Sequence, residues 1–472
     1  MVSLNLQDAV PPSRSATVPF TADIAEPRRD PDWSPASWQQ RVALQQPRYA
    51  DRQAMEQALE ELARQPALVM AEEVVQLKQA LARAQEGKLF LLQGGDCAER
   101  FEDCTGAAIH TRLEHMEQMG LLLTHGLRRP IIRVGRLAGQ YAKPRSADSE
   151  CIDGVELPVY RGDIVNGHRF EASAREPDPQ RMLQAHARSA LTLNLARALM
   201  RKGFADLYQP SRWAFDWLRQ SPRADAQERL LGSLREALQL LEALRQEGGG
   251  SEPSAHLHIS HEALLLPYEQ ALTHYVPSHH GWFNLSTHFP WIGVRTADLE
   301  GAHVEYLRGI ENPIAVKVGP ATGRDQLLRL IERLNPDDEP GRLTLITRMG
   351  AQAIGNALPA LIDAVRREGR RVLWVCDPMH GNTCSLGNGY KTRYFEHILA
   401  ELEQAAELHA AHGSHLGGVH LEMSGEAVTE CLGGAGNLTE ADLPRNYRSS
   451  VDPRLNREQS LELALRLAQK FA

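Results

Sequence analysis

Cys97 lies in the turn Gly94-Gly95-Asp96-Cys97-Ala98-Glu99, where two glycines allow a sharp bend that presents a thiolate to a cleft. A lone cysteine after a strand is usually inert. What singles this one out is His380, in Asp377-Pro378-Met379-His380-Gly381-Asn382, together with acidic residues such as Glu422 that end other apolar segments. A thiolate, an imidazole and one or two carboxylates suit a divalent transition metal, although their dispersal along the chain, unlike a CxxC or HExxH spacing, does not identify a ligand set. Arg136, Lys317 and Arg348 are likewise embedded in apolar, strand-like sequence. A charge in such a setting has either an internal ion-pair partner or an anionic ligand, and three converging on one cleft would favour phosphate or carboxylate. The stretch from Gly135 to Ser146, GRLAGQYAKPRS, adds further cations and a hydroxyl; by itself it reads only as a basic loop. No Walker A sequence or dinucleotide glycine fingerprint stands in a strand-to-helix context.

The elements that must position these groups are eight short apolar segments: KLFLLQGGDCAE, PIIRVGRLAGQ, HLHISHEALLL, GWFNLSTHFPWIG, PIAVKVGP, RLTLITRMG, VLWVCDPMHGN and GGVHLEMSGE. Helical periodicity fills most of the gaps, as in 325–334 and 358–367, and this alternation predicts a parallel sheet. Eight units predict an α/β fold of the (β/α)8 TIM-barrel type, with an open doubly wound sheet as the alternative. In a barrel Cys97, Arg136, Lys317, Arg348, His380 and Glu422 all fall at C-terminal strand ends, where catalytic groups gather.

Residues 1–50 are rich in Pro, Ser and Asp and read as an N-terminal extension arm, tied down by Trp33 and Trp38; 51–472 then form the catalytic barrel domain. Apolar residues at helical spacing (Met55, Leu59, Leu62, then Val74, Val75, Leu77, Leu81) predict entry helices in 51–85. The interval of about 141–255, between strands 2 and 3, is too long for a loop and predicts inserted helices. In it Leu230, Leu234, Leu238, Leu241 and Leu244 mark one apolar face, read as core packing or a subunit interface, and Gly248 to Gly250 end it.

Hydrophobic residues at 42% and charged residues at 24% are ordinary globular usage. A net charge of −8 and a pI near 6.2 give no general attraction to nucleic acid or an anionic membrane. Six cysteines are too few for a disulfide scaffold, and neither an apolar signal segment nor a membrane-length apolar run is present. The Ser and Arg content near the start hints at a transit peptide, against which Asp8, Asp23 and Glu26 count. The expected location is cytoplasmic.

Taken together and in order, GGDCAE, VGRLAGQYAKPRS, YRGD, SHEALLLPYE, WIGVRT, VKVGP, RMG, DPMHGNT, HLEMSGE, TECLGG and DPRLN resemble the plant-like class II 3-deoxy-D-arabino-heptulosonate 7-phosphate (DAHP) synthases, from DWSPASW to the C-terminal helix. The resemblance implies a (β/α)8 barrel with an N-terminal extension and added helices. It implies a divalent metal, manganese or cobalt, on Cys97, His380, Glu422 and Asp452. Asp452, in Val451-Asp452-Pro453-Arg454, otherwise reads as a turn residue. It further implies phosphoenolpyruvate contacts from Arg136, Val294, Arg295, Lys317 and Arg348, and erythrose 4-phosphate contacts from Lys143, Arg145 and Ser146. Lys317, Arg136, Cys97 and His380 are the implied catalytic set. The reaction implied is the first step of the shikimate pathway. One departure stands out: the family's WIGERT is Trp291-Ile292-Gly293-Val294-Arg295-Thr296 here, so a carboxylate is missing at Val294. Val294 motivates one alternative, a pathway-specific (amino-DAHP or secondary-metabolism) synthase; a non-catalytic regulatory barrel is another, against which the intact metal set speaks. Homo-oligomers (dimer or tetramer), aromatic amino acid effectors and a chorismate mutase partner are further family traits, with neither nucleic acid nor membrane as partner.

Overall fold

The computed structural model describes residues 32–202, 228–229, 231–237 and 257–471. Runs rich in Val, Ile and Leu pair side by side, all parallel, as β1 (Phe90–Gly95), β2 (Ile131–Arg136), β3 (His258–Glu262), β4 (Phe289–Ile292), β5 (Ile314–Val318), β6 (Leu343–Thr347), β7 (Leu373–Cys376) and β8 (Gly418–Glu422). Each strand bonds its neighbours in sequence and β8 closes on β1, giving the expected eight-stranded barrel and excluding the open sheet. Strands β5, β6 and β8 are buried along their whole length, so that even Lys317, Thr344, His420 and Glu422 within them are buried.

Amphipathic helices cover the strands. Helix Arg324–Leu334 buries Leu327, Leu330, Ile331 and Leu334, and helix Ile354–Arg367 buries Ile354, Leu358, Leu361, Ile362 and Val365. The entry helices are Arg52–Leu62, capped by the Asp51 carboxylate on Ala54 N–H (2.9 Å), and Ala71–Gln85. Helix Gly106–Leu127 crosses the C-terminal helix Arg457–Phe471 closely, since a Cβ at Gly126 would lie 2.1 Å from that of Ala468. No helix among the described residues is long and apolar enough to cross a membrane.

Two expectations change in detail. The front of the fourth segment, Gly281–Asn284, is not a barrel strand; it pairs antiparallel with Thr273–Val276, and the barrel strand is the following Phe289–Ile292. Both pieces are short and apolar, so periodicity could not separate them. The stretch after β2 opens with a hairpin rather than a helix, Ser149–Ile152 on Val155–Pro158, turning on Asp153 (φ 51°) and Gly154 (φ 81°). Helix Gln180–Lys202 follows. Of the leucine stripe, Leu234 is buried; Leu230, Leu238, Leu241, Leu244 and the glycine run lie outside the described residues.

The described part of the N-terminal segment packs on the barrel's helices. Trp33 Nε1–H donates to Glu305 O (2.9 Å) and its ring fills the space at Gly309, where a Cβ would sit 2.1 Å away. Trp38 is buried, with Nε1–H donating to Gln270 Oε1 (2.9 Å). Trp38→Ala is expected to cost about 3 kcal/mol, read as a lowered urea midpoint with unchanged slope; an unchanged midpoint would mean that the segment contributes nothing to the folded state.

Candidate active site

The barrel register places Gly95 opposite both Arg136 and Glu422, so the ends of β2, β1 and β8 meet at one point of the rim. Gly95 has φ 147°, and a Cβ there would lie 2.6 Å from Arg136 O; only glycine lets the strands approach this closely before the chain turns to Cys97. Two carboxylates fix that turn. Glu99 accepts from the N–H groups of Ala138, Gly139 and Gln140 (3.0, 2.9 and 2.9 Å), tying the β1 loop to the β2 loop. Asp96 is held by Arg112 (2.8 Å) and Arg454 (2.6 Å), and Arg454 also grips Glu430 (2.7 Å). Arg454 thereby anchors the DPRLN segment, whose Leu455 zips onto β8 through Leu455 N–H to Glu422 O (3.0 Å) and Ser424 N–H to Leu455 O (2.8 Å). This is what carries Asp452 to the rim.

Cys97, Glu422 and Asp452 present ligand atoms that all lie within 4.8 Å of one another. His380 adjoins them through Nε2, 3.0 Å from Glu422 Oε1, while its Nδ1 meets Asp377 Oδ2 at 2.7 Å. Cation and anions interlock here. The Lys143 ammonium is 2.8 Å from Cys97 Sγ, 2.7 Å from Asp452 Oδ2 and 3.6 Å from Glu422 Oε1. Glu422 is fully buried and also meets Arg136 (3.0 Å) and the fully buried Arg393 (2.8 Å). The donor set fits a divalent transition metal: soft sulfur, imidazole nitrogen and two carboxylates, with Glu422 Oε2 lacking an aligned hydrogen bond and the cluster already accepting a cation in Lys143.

Burial works against the charges on Asp377, Glu422 and Asp452, but their cationic neighbours prevail and hold all three below the usual carboxylate range. His380 and Lys317 act on Asp377, His380, Lys143 and Arg393 on Glu422, and Lys143 most of all on Asp452. Burial would likewise depress Lys143, yet Asp452, Cys97 and Glu422 raise it. Burial, with Glu422 beside it, pushes the Cys97 thiol up to about 12.

Below the rim the barrel interior is a polar relay. Burial first, then Lys317 and Arg136, keeps His420 well below its ordinary value and so neutral. Its Nε2 accepts from Arg136 Nη1, which assigns the proton to Nδ1 for donation to Gln93 Oε1 (2.8 Å). Gln93 Nε2 then donates to Ser260 Oγ (3.0 Å), and Ser260 to Gly135 O (3.2 Å). Arg136 spends its other donors on Asp96 O, Cys97 O and Glu422, with its guanidinium 5.1 Å over the Trp291 ring. It sits beneath the cleft, not in its wall.

Above the cluster opens a cavity of about 430 Å³. Lys143, Arg145, Ser146, Val294, Arg295, Lys317, Arg348, His380 and Asp452 all line it. Lys317 pairs with Asp377 (2.7 Å), Arg348 donates to His380 O (2.8 Å), and Arg295 to Ser146 Oγ (2.9 Å). Burial, only partly offset by Asp377, lowers the Lys317 ammonium. Six Lys and Arg side chains face three carboxylates in the lining, so the cavity suits a polyanion. The structure thus brings together all the residues expected from the sequence, Cys97, Glu422 and Arg136 lying just below the cavity.

Sequence reasoning missed Asp377, Arg393, His420, Glu262 and Lys391. Lys391 and Arg393 arrive on a hairpin, Thr383–Ser385 with Lys391–Arg393, whose residues gave no strand signal. Asp377 stood in the quoted DPMHG motif and could have been read as the orienting partner of His380. Glu262, the last residue of β3, projects an unpartnered Oε1 that would lie 2.2 Å from a Cβ at Gly293.

The depressed carboxylates fix the sign of an acid transition. Their folded-state values lie below those of the unfolded chain, so their contribution is complete above the ordinary carboxylate value and lost as pH falls through the folded values. Urea midpoints are expected to fall steeply below about pH 4, as these carboxylates take up protons. A midpoint that holds or rises below about pH 4 would contradict the charged network.

A sequence model of the Class-II DAHP synthetase family matches residues 33–468. The phospho-2-dehydro-3-deoxyheptonate aldolase of Neurospora crassa is 43% identical over 457 residues, 93% of this chain and 95% of that one. Its Streptomyces coelicolor counterpart is 44% identical over 440 residues, 92% and 96% of the two chains. The AroG protein of that name from Mycolicibacterium smegmatis is 43% identical over 434 residues, 90% and 92%. A solved Francisella tularensis phospho-2-dehydro-3-deoxyheptonate aldolase matches with a TM-score of 0.44 at 14% identity, over 89% of this chain and 96% of that one. With a family match that spans the barrel and three relatives above 40% identity over nearly their full lengths, the chain belongs to the class-II DAHP synthetase family.

Proposed function

We propose that this protein is a metal-dependent 3-deoxy-7-phosphoheptulonate synthase, joining C3 of phosphoenolpyruvate to the aldehyde carbon of erythrose 4-phosphate as the first step of the shikimate pathway. Water adds at C2 and inorganic phosphate leaves. The observation that carries this reading is the stacking of a cation-rich cavity directly on the Cys97–Glu422–Asp452 cluster, beside His380.

Cys97, His380, Glu422 and Asp452 would hold the divalent ion, manganese or cobalt, which when bound supplies Lewis-acid polarisation of the aldehyde oxygen. Lys317, Arg348 and Arg295, all in the lining, gather the phosphate and carboxylate of phosphoenolpyruvate. Arg136 braces the cluster beneath through Glu422. Lys143, Arg145 and Ser146, in the same lining, hold the erythrose phosphate, so that one cavity brings the two reacting carbons together. Asp377 orients His380 at Nδ1 and leaves Nε2 toward the cluster. With Val294 apolar and 41% exposed, the carboxylate left in this part of the lining is Glu262. Val294 supports a second reading, a synthase for an altered aldehyde acceptor. A cytoplasmic, homo-oligomeric enzyme with aromatic amino acid feedback and a chorismate mutase partner accords with the family resemblance.

The test is release of phosphate from phosphoenolpyruvate with and without erythrose 4-phosphate. Release that needs both substrates and stops with a chelator is expected; chelator-resistant release, or none with any divalent metal and any short aldehyde, would overturn the reading. Cys97→Ala and His380→Ala should lose metal-dependent turnover with the circular dichroism of the folded chain retained. Full activity of either variant without metal would remove the ligand assignment. Arg348→Ala should raise the KM for phosphoenolpyruvate by roughly 10- to 100-fold, the loss of one charge-assisted contact; an unchanged KM would make Arg348 a structural group.

A further inference from the structure

Glu401 lies on helix Phe395–Ala411, outside the cavity, and is fully buried. No cation pairs with it among the described residues; its partners are amides. Oε1 accepts from Met349 N–H (2.7 Å) and Oε2 from the Asn382 side-chain amide (2.7 Å), with Gly350 N–H a further donor. Burial without a countercharge pushes its carboxyl up to about 7, so the position is costly to keep as an anion. Its two oxygens nevertheless join two loops. Met349 and Gly350 follow Arg348 at the end of β6, and Asn382 ends the turn that carries His380 after β7.

These loops touch backbone to backbone. A Cβ at Gly381 would lie 2.3 Å from Gly350 N, and Arg348 donates to His380 O (2.8 Å). Asn382 completes the seam, its Oδ1 accepting from Ala351 N–H (3.0 Å) and its amide also donating to Pro378 O (2.8 Å). We propose that Glu401 is a positioning residue that fixes the anion-holding Arg348 relative to the metal-side His380, by clamping the β6 and β7 loops to one helix. This rests on the roles given above to Arg348 and His380.

The clamp has a chemical polarity that a filler side chain would lack. In Glu401→Gln one oxygen becomes an NH₂ group, so a donor faces either Asn382 or Met349. Asn382 is not free to turn over, because Ala351 N–H and Pro378 O fix its two ends. Adding Asn382→Asp, as the neutral acid, gives the new NH₂ an acceptor at Oδ2, keeps Oδ1 for Ala351 N–H and leaves the acid O–H to donate to Pro378 O. Swapping the polarity of the pair should therefore restore the clamp.

For purified full-length protein, Glu401→Gln is expected to raise the KM for phosphoenolpyruvate roughly tenfold and weaken manganese binding by a similar factor, about one buried hydrogen bond. The Glu401→Gln/Asn382→Asp protein should recover more than half of both losses on a logarithmic scale. Unchanged KM and manganese affinity with only a lowered Tm, or additive losses in the double variant, would overturn the proposal. If Glu401→Gln does not fold, Asn382→Ala serves instead, and the same paired rise in KM and manganese dissociation constant is required of it. Arg348→Lys, run in parallel, separates the two levels: a raised KM there with none in the Glu401 variant removes only the clamp. No change in the Arg348 variant removes the reading of Arg348 and the clamp with it.

Discussion

The rest of the structure depends on one buried carboxylate. Glu422 has no solvent exposure, and around it stand Arg136 from β2, Lys143 beyond that strand, His380 from the β7 loop and Arg393 from a later hairpin. Taking such charges out of water costs several kcal/mol each unless the geometry is close, and removing one partner strands the others. The barrel supplies that geometry: closing β8 onto β1 puts Glu422 level with Gly95, and the Leu455 zipper delivers Asp452 to the same place. The ion cluster and the fold thus specify each other.

From that constraint follows the layering of the site. At the bottom is a neutral relay, Ser260, Gln93 and His420, which fixes Arg136. In the middle is the anionic donor cluster, and above it a cavity dominated by cations. A group of metal-ligating character directly under a polyanion site suits the proposed joining of two phosphorylated substrates. Lys143 belongs to both layers, lining the cavity while neutralising the donors below.

Much of this was legible in the sequence because buried parallel strands are mainly apolar, so a charged or metal-ligating residue at or near the end of one stands out. Cys97, Arg136, Lys317, Arg348, His380 and Glu422 were all found in that way. Asp452 was not, because its place is set by tertiary hydrogen bonds to β8 and its local sequence reads as a turn; only the family resemblance supplied it. Arg393 and His420 were hidden for opposite reasons. Arg393 sits on a three-residue strand with no periodicity, whereas His420 is inside a strand, where sequence cannot say which way a side chain points. The Asp153-Gly154 hairpin did carry a readable turn signal, and the insertion was read as helical because its length outweighed it. The Gly281–Asn284 run shows the limit of pattern: it is as apolar as a barrel strand and pairs with Thr273–Val276 instead.

The most direct test of the central claim, that the rim cluster is a cation cradle closed by Cys97, is a cobalt titration of the metal-free protein followed by absorption. The account predicts one cobalt per chain with a thiolate-to-cobalt charge-transfer band that is lost in Cys97→Ser. Cobalt binding without such a band, or a band that survives in Cys97→Ser, would place the metal elsewhere and contradict it.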